Sequence, residues 1–320
     1  MPEFSGVVVV DKPSGPTSFD VVRRVRGLFK TRRAGHTGTL DPTATGVLPI
    51  CIGEATKVAS FVSDGEKEYD AVVRFGETTD TQDAAGKTLA TKPIEGLTED
   101  GVREALKGFE GLIEQTPPMY SARKVDGKRL YELAREGQEV EREARQVHVE
   151  EARLLFFRPP DAGIFVRCSK GTYLRTLAHD LGEKLGCGAH LRELKRVRVG
   201  PFSLEDSVGL DTLMAAAKED RQSLERWVLP VSRALGDLAE LRLDVQLARR
   251  VAHGHAPGPA DLSRLRAPPF PRGRKVRLVD HSGPEERVLA VAESDGVGTL
   301  KLLRVLVAGA HDLVGRPDEE

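Results

Sequence analysis

Gly35-His36-Thr37-Gly38-Thr39-Leu40-Asp41-Pro42-Thr43-Ala44-Thr45-Gly46 sets one carboxylate in a run too rich in glycine and threonine to be ordinary core. Val47-Leu48-Pro49-Ile50-Cys51-Ile52 follows it as an unbroken apolar segment. Glycine permits left-handed backbone and close approach, and Pro42 fixes φ just after the acid, so the run predicts a shaped loop above a buried segment. Asp41 on such a rim, beside hydroxyls, amides and a histidine, suits a nucleophile or base. It equally suits a turn whose aspartate caps the backbone, and residue types alone leave the two readings level.

Upstream, Val7-Val8-Val9-Val10 reads as a buried strand, followed by the turn Asp11-Lys12-Pro13-Ser14-Gly15-Pro16. A helix is expected from about residue 18, capped by Thr17 or Ser18, with Val21, Val22, Val25, Leu28 and Phe29 on one face. Downstream, 68–76 alternates as a strand through Tyr69, Ala71, Val73 and Phe75, and 76–86 reads as a polar loop carrying Asp80 and Asp83. Thr98 can cap an amphipathic helix bearing Val102, Leu106 and Phe109.

From Gln115 to about Arg145 the chain departs from the core through Pro117-Pro118 into a mixed-charge helical stretch around Leu130, Tyr131, Leu133 and Ala134. Strands resume at 147–157 and 163–168, and a helix is expected over 171–185 with Arg175 near its start. Helical stretches are predicted near 211–235 and 241–255, then short strands at 275–280, 287–292 and 299–307. Strands and helices without regular alternation predict an α+β fold with a small β-rich terminal domain and a boundary near 235–245.

The totals fit this outline. A chain of 320 residues exceeds one typical domain, and 39% hydrophobic content plus 32 glycines matches a folded protein. Apolar runs stop far below the roughly 18 residues needed to cross a bilayer, and the first 20 residues lack a secretory pattern, so cytoplasmic residence without membrane association is the expectation. Cys51, Cys168 and Cys187 are widely spaced and have no Cys-x-x-Cys pair, which predicts buried free thiols and neither disulfide nor zinc.

The net charge of −1 hides clusters. Arg23, Arg24, Arg26, Lys30, Arg32 and Arg33 form one; Arg192, Lys195, Arg196 and Arg198 a second; Arg264, Arg266, Arg272, Arg274, Lys275 and Arg277 a third. Solvated surface explains each singly, whereas together they fit a nucleic-acid face. Phosphoryl transfer fits poorly: the aspartate follows Thr-Gly-Thr instead of preceding it, and no phosphate-cradling Gly-x-x-x-x-Gly-Lys-Ser/Thr loop exists. Asp41, Tyr69, Arg175 and His36 could form one set, in which the cation holds the acid charged and the ring stacks on a base. Singly, each also reads as an ordinary structural residue.

Five separated blocks, in order and in spacing, resemble the TruB family of tRNA pseudouridine synthases: Asp11 to Gly15; Gly35 to Lys57; Tyr69 with Arg74 to Gly76 and Thr79 to Asp83; Met119 to Lys124; and Cys168 to Arg175 with Asp180-Leu181-Gly182. Thr43 departs from the family, which often carries leucine there. The resemblance implies a pseudouridine synthase fold, α+β with a mixed, mainly antiparallel sheet and flanking helices. It implies a catalytic domain over 1–238, an RNA-binding thumb inserted at about 124–150, and a PUA-like RNA-binding domain over 239–320.

It implies Asp41 as the catalytic aspartate, Tyr69 as the tyrosine stacking on uracil, Arg175 as the paired arginine and His36 as the residue filling the space of the flipped base. Lys12 and Pro13 resemble the motif supporting the catalytic loop, and Asp83 and Leu194 resemble further pocket residues. The reaction implied isomerises uridine-55 in the T loop of tRNA without cofactor or metal, by a monomer needing no protein partner. An RNA chaperone or binding module, and a guide-dependent synthase acting on ribosomal RNA, are the competing readings.

Overall fold

The computed structural model describes residues 4–120, 124–125, 128–129, 138, 140–282 and 286–306. In chain order the first half runs β1 (Gly6–Lys12), α1 (Ser18–Phe29), β2 (Ala34–His36), β3 (Thr45–Ile52), α2 (Ala59–Asp64), β4 (Lys67–Phe75), β5 (Glu77–Thr79), β6 (Thr88–Thr91), α3 (Glu99–Lys107) and β7 (Gly111–Gln115). A short hairpin, β8 (Lys124–Val125) and β9 (Lys128–Arg129), precedes β10 (Arg145–Arg158), β11 (Asp161–Cys168), α4 (Leu174–Lys184), β12 (Ala189–Val199), β13 (Phe202–Ser203), β14 (Val208–Gly209) and α5 (Leu210–Glu219). The expected helix around Leu130 to Ala134 lies outside the described residues.

The main sheet orders its strands β14-β1-β3-β12-β4-β11-β10-β7, with β2 on β3 and β13 on β12. Only β1–β14 and β3–β12 pair in parallel, so the sheet is mixed and mainly antiparallel, as expected for the α+β class. The valine run of β1 is buried throughout because both faces are covered. Val8 and Val10 pack with Leu48, Ile50 and Ile52 under Val21, Val22 and Val25 of α1. Val7 and Val9 point the other way, into a cluster with Val47, Cys51, Val58 and Val62. Strand periodicity of two sorts the run into these two sets.

Thr17 caps α1 in a full capping box with Asp20, and the capping Thr98 and the stripe Val102, Leu106 appear in α3 as predicted. The three cysteines are buried and free, as expected; burial pushes the Cys51 thiol up to about 12.

A second sheet orders β15 (Ala239–Leu243), β16 (Lys275–Asp280), β17 (Arg287–Ser294) and β18 (Leu300–Val305), packed against helix α7 (Val245–Ala252), which follows the single turn α6 (Val231–Ala234). The helical pattern expected over 241–255 therefore opens as a strand, with Asp244 capping a shorter helix. Val279, Val288 and Val291 of this sheet enter the same cluster as Val7 and Val9, so the two sheets share an apolar core. Asp64 reinforces the junction by pairing with Lys170 at 2.7 Å and Lys275 at 2.8 Å.

β12 is the largest departure from the sequence expectation. The run Arg192, Lys195, Arg196, Arg198 is a central strand between β3 and β4, and Arg196 is 1% exposed. Arg196 is therefore not part of a basic surface, whereas Arg192, Lys195 and Arg198 are exposed. Bulges between Leu191 and Glu193 and between Arg196 and Arg198 break the alternation that would have marked it as a strand.

Candidate active site

The Asp41 loop joins β2 to β3 across a tight turn in which Ala44 N–H donates to the Asp41 carbonyl at 3.1 Å. Ser18 at the start of α1 clamps it from one side, donating to the Leu40 carbonyl at 2.9 Å and accepting from the Leu40 amide at 2.8 Å. Lys12, fully buried, donates Nζ to the carbonyls of Pro13 and Pro42, both at 3.0 Å, and of Ala44 at 2.7 Å. Burial pulls its pKa down from 10.5 to about 8, against the attraction of Asp41. Gly46 closes the loop at φ +99, where an added Cβ would stand 2.1 Å from the Arg196 carbonyl oxygen. No side chain fits there.

Arg175 meets the acid from α4. Its Nε lies 3.0 Å from Asp41 Oδ2, and its remaining nitrogens donate to the carbonyls of Tyr120 at 2.8 Å and Thr81 at 3.2 Å, with Asp83 at 3.7 Å. The arginine side chain is 6% exposed while the aspartate retains 37%, so the pair is fixed from below and open above. Burial raises the Asp41 carboxyl from its ordinary value; Arg175 opposes this, Asp83 adds to it and Lys12 opposes it, and the rise prevails. Arg175 favours the charged acid, as expected of the cation, but burial outweighs it.

The start of α4 is itself held by a side chain. Tyr173, its N-cap, has no cap of its own; its N–H donates to Gln115 Oε1 at 2.9 Å and its carbonyl accepts from Gln115 Nε2 at 3.3 Å. Gln115 is 2% exposed at the end of β7. Sequence reasoning missed this residue, since a lone glutamine at a strand end carries no pattern.

Tyr69 faces the same side of the sheet from β4, next to Arg196 on β12. Burial raises its hydroxyl pKa, and the Arg196 guanidinium opposes that rise. Arg196 also donates to the carbonyls of Val47 at 2.8 Å, Gly38 at 3.0 Å and Thr39 at 3.4 Å. His36 ends β2; its Nδ1 accepts from the Gly38 amide at 3.3 Å, leaving Nε2 as the protonated nitrogen, without a hydrogen-bond partner among the described residues. Burial and then Arg196 lower its pKa, so the ring is neutral at pH 7.

Asp83 is fixed by Thr81 Oγ1 at 2.6 Å and the Ala85 amide at 3.0 Å. Leu194 is half-buried on β12, and its carbonyl accepts from Thr45 Oγ1 at 3.5 Å. Pro13 contributes its carbonyl to Lys12. Arg175, Asp83 and Lys12 thus act on Asp41, Tyr69 feels both Arg196 and Asp41, and His36 is tied to the set through Arg196, which the sequence reading had placed on a surface.

The mixed, mainly antiparallel sheet with flanking helices is the fold of the pseudouridine synthases, which are isomerases. The model of the "TruB family pseudouridylate synthase (N terminal domain)" matches residues 26–174, and that of the "tRNA pseudouridylate synthase B C-terminal domain" matches 175–236. A tRNA pseudouridine synthase B of Burkholderia mallei (strain NCTC 10247) is 46% identical over 308 residues, covering 96% of this chain and 98% of the relative. That of Pseudomonas paraeruginosa (strain DSM 24068 / PA7) is 43% identical over 302 residues, covering 94% and 96%. A solved Cbf5-Nop10-Gar1 complex contains a chain of the same fold, TM-score 0.73 at 26% identity, covering 96% of this chain and 86% of that one. The chain belongs to the TruB family.

Proposed function

We propose that this chain, a tRNA pseudouridine synthase, isomerises uridine-55 in the T loop of tRNA, with Asp41 as the nucleophile. The N1–C1′ bond breaks, the uracil turns while bound, C5 bonds to C1′, the C5 proton leaves and N1 gains one. Nothing is oxidised or reduced. Asp41 adds through a carboxylate oxygen to uracil C6 or to ribose C1′, and that bond breaks again before the product leaves, while Arg175 holds the carboxylate through Nε to Oδ2 at 3.0 Å and Nη2 to Oδ1 at 3.5 Å. Tyr69 stacks on the extruded uracil and helps to move a proton; His36, neutral, fills the place the base has left. Lys12 and Pro13 brace the loop, and Asp83 and Leu194 shape the pocket.

The observation that carries this reading is the Arg175–Asp41 pair, closed below and open above. Base extrusion costs a few kcal/mol, offset by stacking and hydrogen bonds in the pocket. The small sheet at β15–β18 serves as the PUA-like RNA-binding domain of 239–320, the catalytic domain spans 1–238, and the thumb falls at about 124–150. The enzyme works as a monomer in the cytoplasm without a protein partner.

Tritium release from tRNA labelled at uridine C5 tests the reading. Wild type releases tritium from a bare T-arm transcript and Asp41→Asn does not, while both bind the RNA. Retained release in Asp41→Asn removes the nucleophile assignment; absence of release by folded wild type, unless a guide RNA is added, turns the reading to the guide-dependent class.

A further inference from the structure

We propose that Arg196 is a positioning residue for the isomerisation, holding the Tyr69 hydroxyl and both arms of the Asp41 loop in one frame. The inference rests on the reaction proposed above and adds to it a residue that touches no substrate.

Backbone and side chain make the same connection twice. On β12, Arg196 is the lateral partner of Gly46 on β3, where the loop ends, and of Tyr69 on β4. Its guanidinium then reaches Gly38 and Thr39 on the entering arm and Val47 on the leaving arm. The two arms and the tyrosine are thereby set by one rigid planar group, whose fork geometry fixes direction as well as distance.

The energetics point the same way. Arg196 is among the largest fully buried side chains, and among the described residues the group acting on its charge is the Tyr69 hydroxyl and not a carboxylate. A buried cation balanced only by carbonyls and a hydroxyl is costly, and an apolar side chain of the same volume would pack there at lower cost. A charge kept at that site is accounted for by what it faces: three loop carbonyls and the Tyr69 oxygen. Displacing reacting groups by about 1 Å can cost about 100-fold in rate, so a frame of this kind acts on turnover more than on RNA affinity.

A double-mutant cycle tests the proposal on the full chain with C5-tritiated tRNA. Arg196→Lys keeps the charge and loses the fork. The expected result is a fall in kcat of about 100-fold, with KM and the Kd for tRNA within about threefold of wild type. In the Tyr69→Phe background, the same change costs less than about tenfold, because the two residues act as one unit. Thermal unfolding checks that each variant is folded; if Arg196→Lys is not, Arg196→Gln, which keeps donors without charge, takes its place in the cycle.

Full additivity with Tyr69→Phe, or a loss confined to tRNA binding, overturns the proposal while leaving the reaction standing. Failure of wild type to release tritium overturns the reaction and the proposal with it.

Discussion

Arg175 reaches Asp41 with Nε at 3.0 Å and spends its other nitrogens on the carbonyls of Tyr120 and Thr81, so the cation opposing the acid is immobilised by the backbone of two separate segments. Such an arginine presents a fixed field to the carboxylate and needs no reorganisation when charge moves.

Replacing it therefore shifts protonation as well as rate. Burial already raises Asp41, and Arg175 is the first group opposing that rise. Without the guanidinium, the carboxyl binds its proton at higher pH, and the acid limb of kcat/KM moves upward. Arg175→Gln, which removes the charge, is expected to lose about 100-fold in kcat and shift that limb upward by about one pH unit. An unmoved limb in tritium release across pH 4–8 would contradict the electrostatic role.

Lys12 gives the opposite limb. Its pKa is lowered to about 8, so the proton leaves as pH rises through that value. A neutral amine has two hydrogens for the carbonyls of Pro13, Pro42 and Ala44, and the loop beneath Asp41 slackens. kcat is expected to decline above about pH 8. Stability behaves otherwise: between about 8 and 10.5 the folded chain has shed this proton and the unfolded chain has not, so the Lys12 contribution to stability rises with pH. Activity and urea midpoints measured on the same samples should diverge across that window.

Gly46→Ala should be among the most damaging single changes in the chain. The added carbon meets the backbone oxygen of Arg196 and the residue must hold φ +99, so β3 and β12 separate where they pair. A loss of about 3 kcal/mol or more, read from denaturant unfolding, is expected.

Salt dependence tests the basic face of α1, where Arg23 and Arg24 are exposed and Arg23 is shared with Asp20. Neutralising Arg24 should weaken tRNA binding and reduce the slope of log K against log salt by about one, with a smaller change for Arg23. An unchanged slope would take α1 off the RNA face.

Much of this molecule was legible residue by residue. The loop around Asp41, the valine strand, the capping threonines of α1 and α3 and the terminal strands follow from turn chemistry and periodicity, both local properties. Arg196 was not legible, because bulges scramble the alternation of β12 and because a buried arginine looks in sequence like a solvated one. The pairing of Arg175 with Asp41 spans 134 positions and became readable only through resemblance. Gln115 was invisible, since its partner is the main chain of Tyr173, and any residue supplies a main chain.

That carboxamide has a consequence for how this protein tolerates change. By exchanging both a donor and an acceptor with Tyr173, Gln115 counterfeits one more rung of a ladder, between an edge strand and a helix that could not otherwise pair. The start of the Arg175 helix is thus tied to the end of the strand that leads to Tyr120. Loops of different length grafted after that point would leave the arginine where it is, and the site and its appendage can diversify on separate schedules.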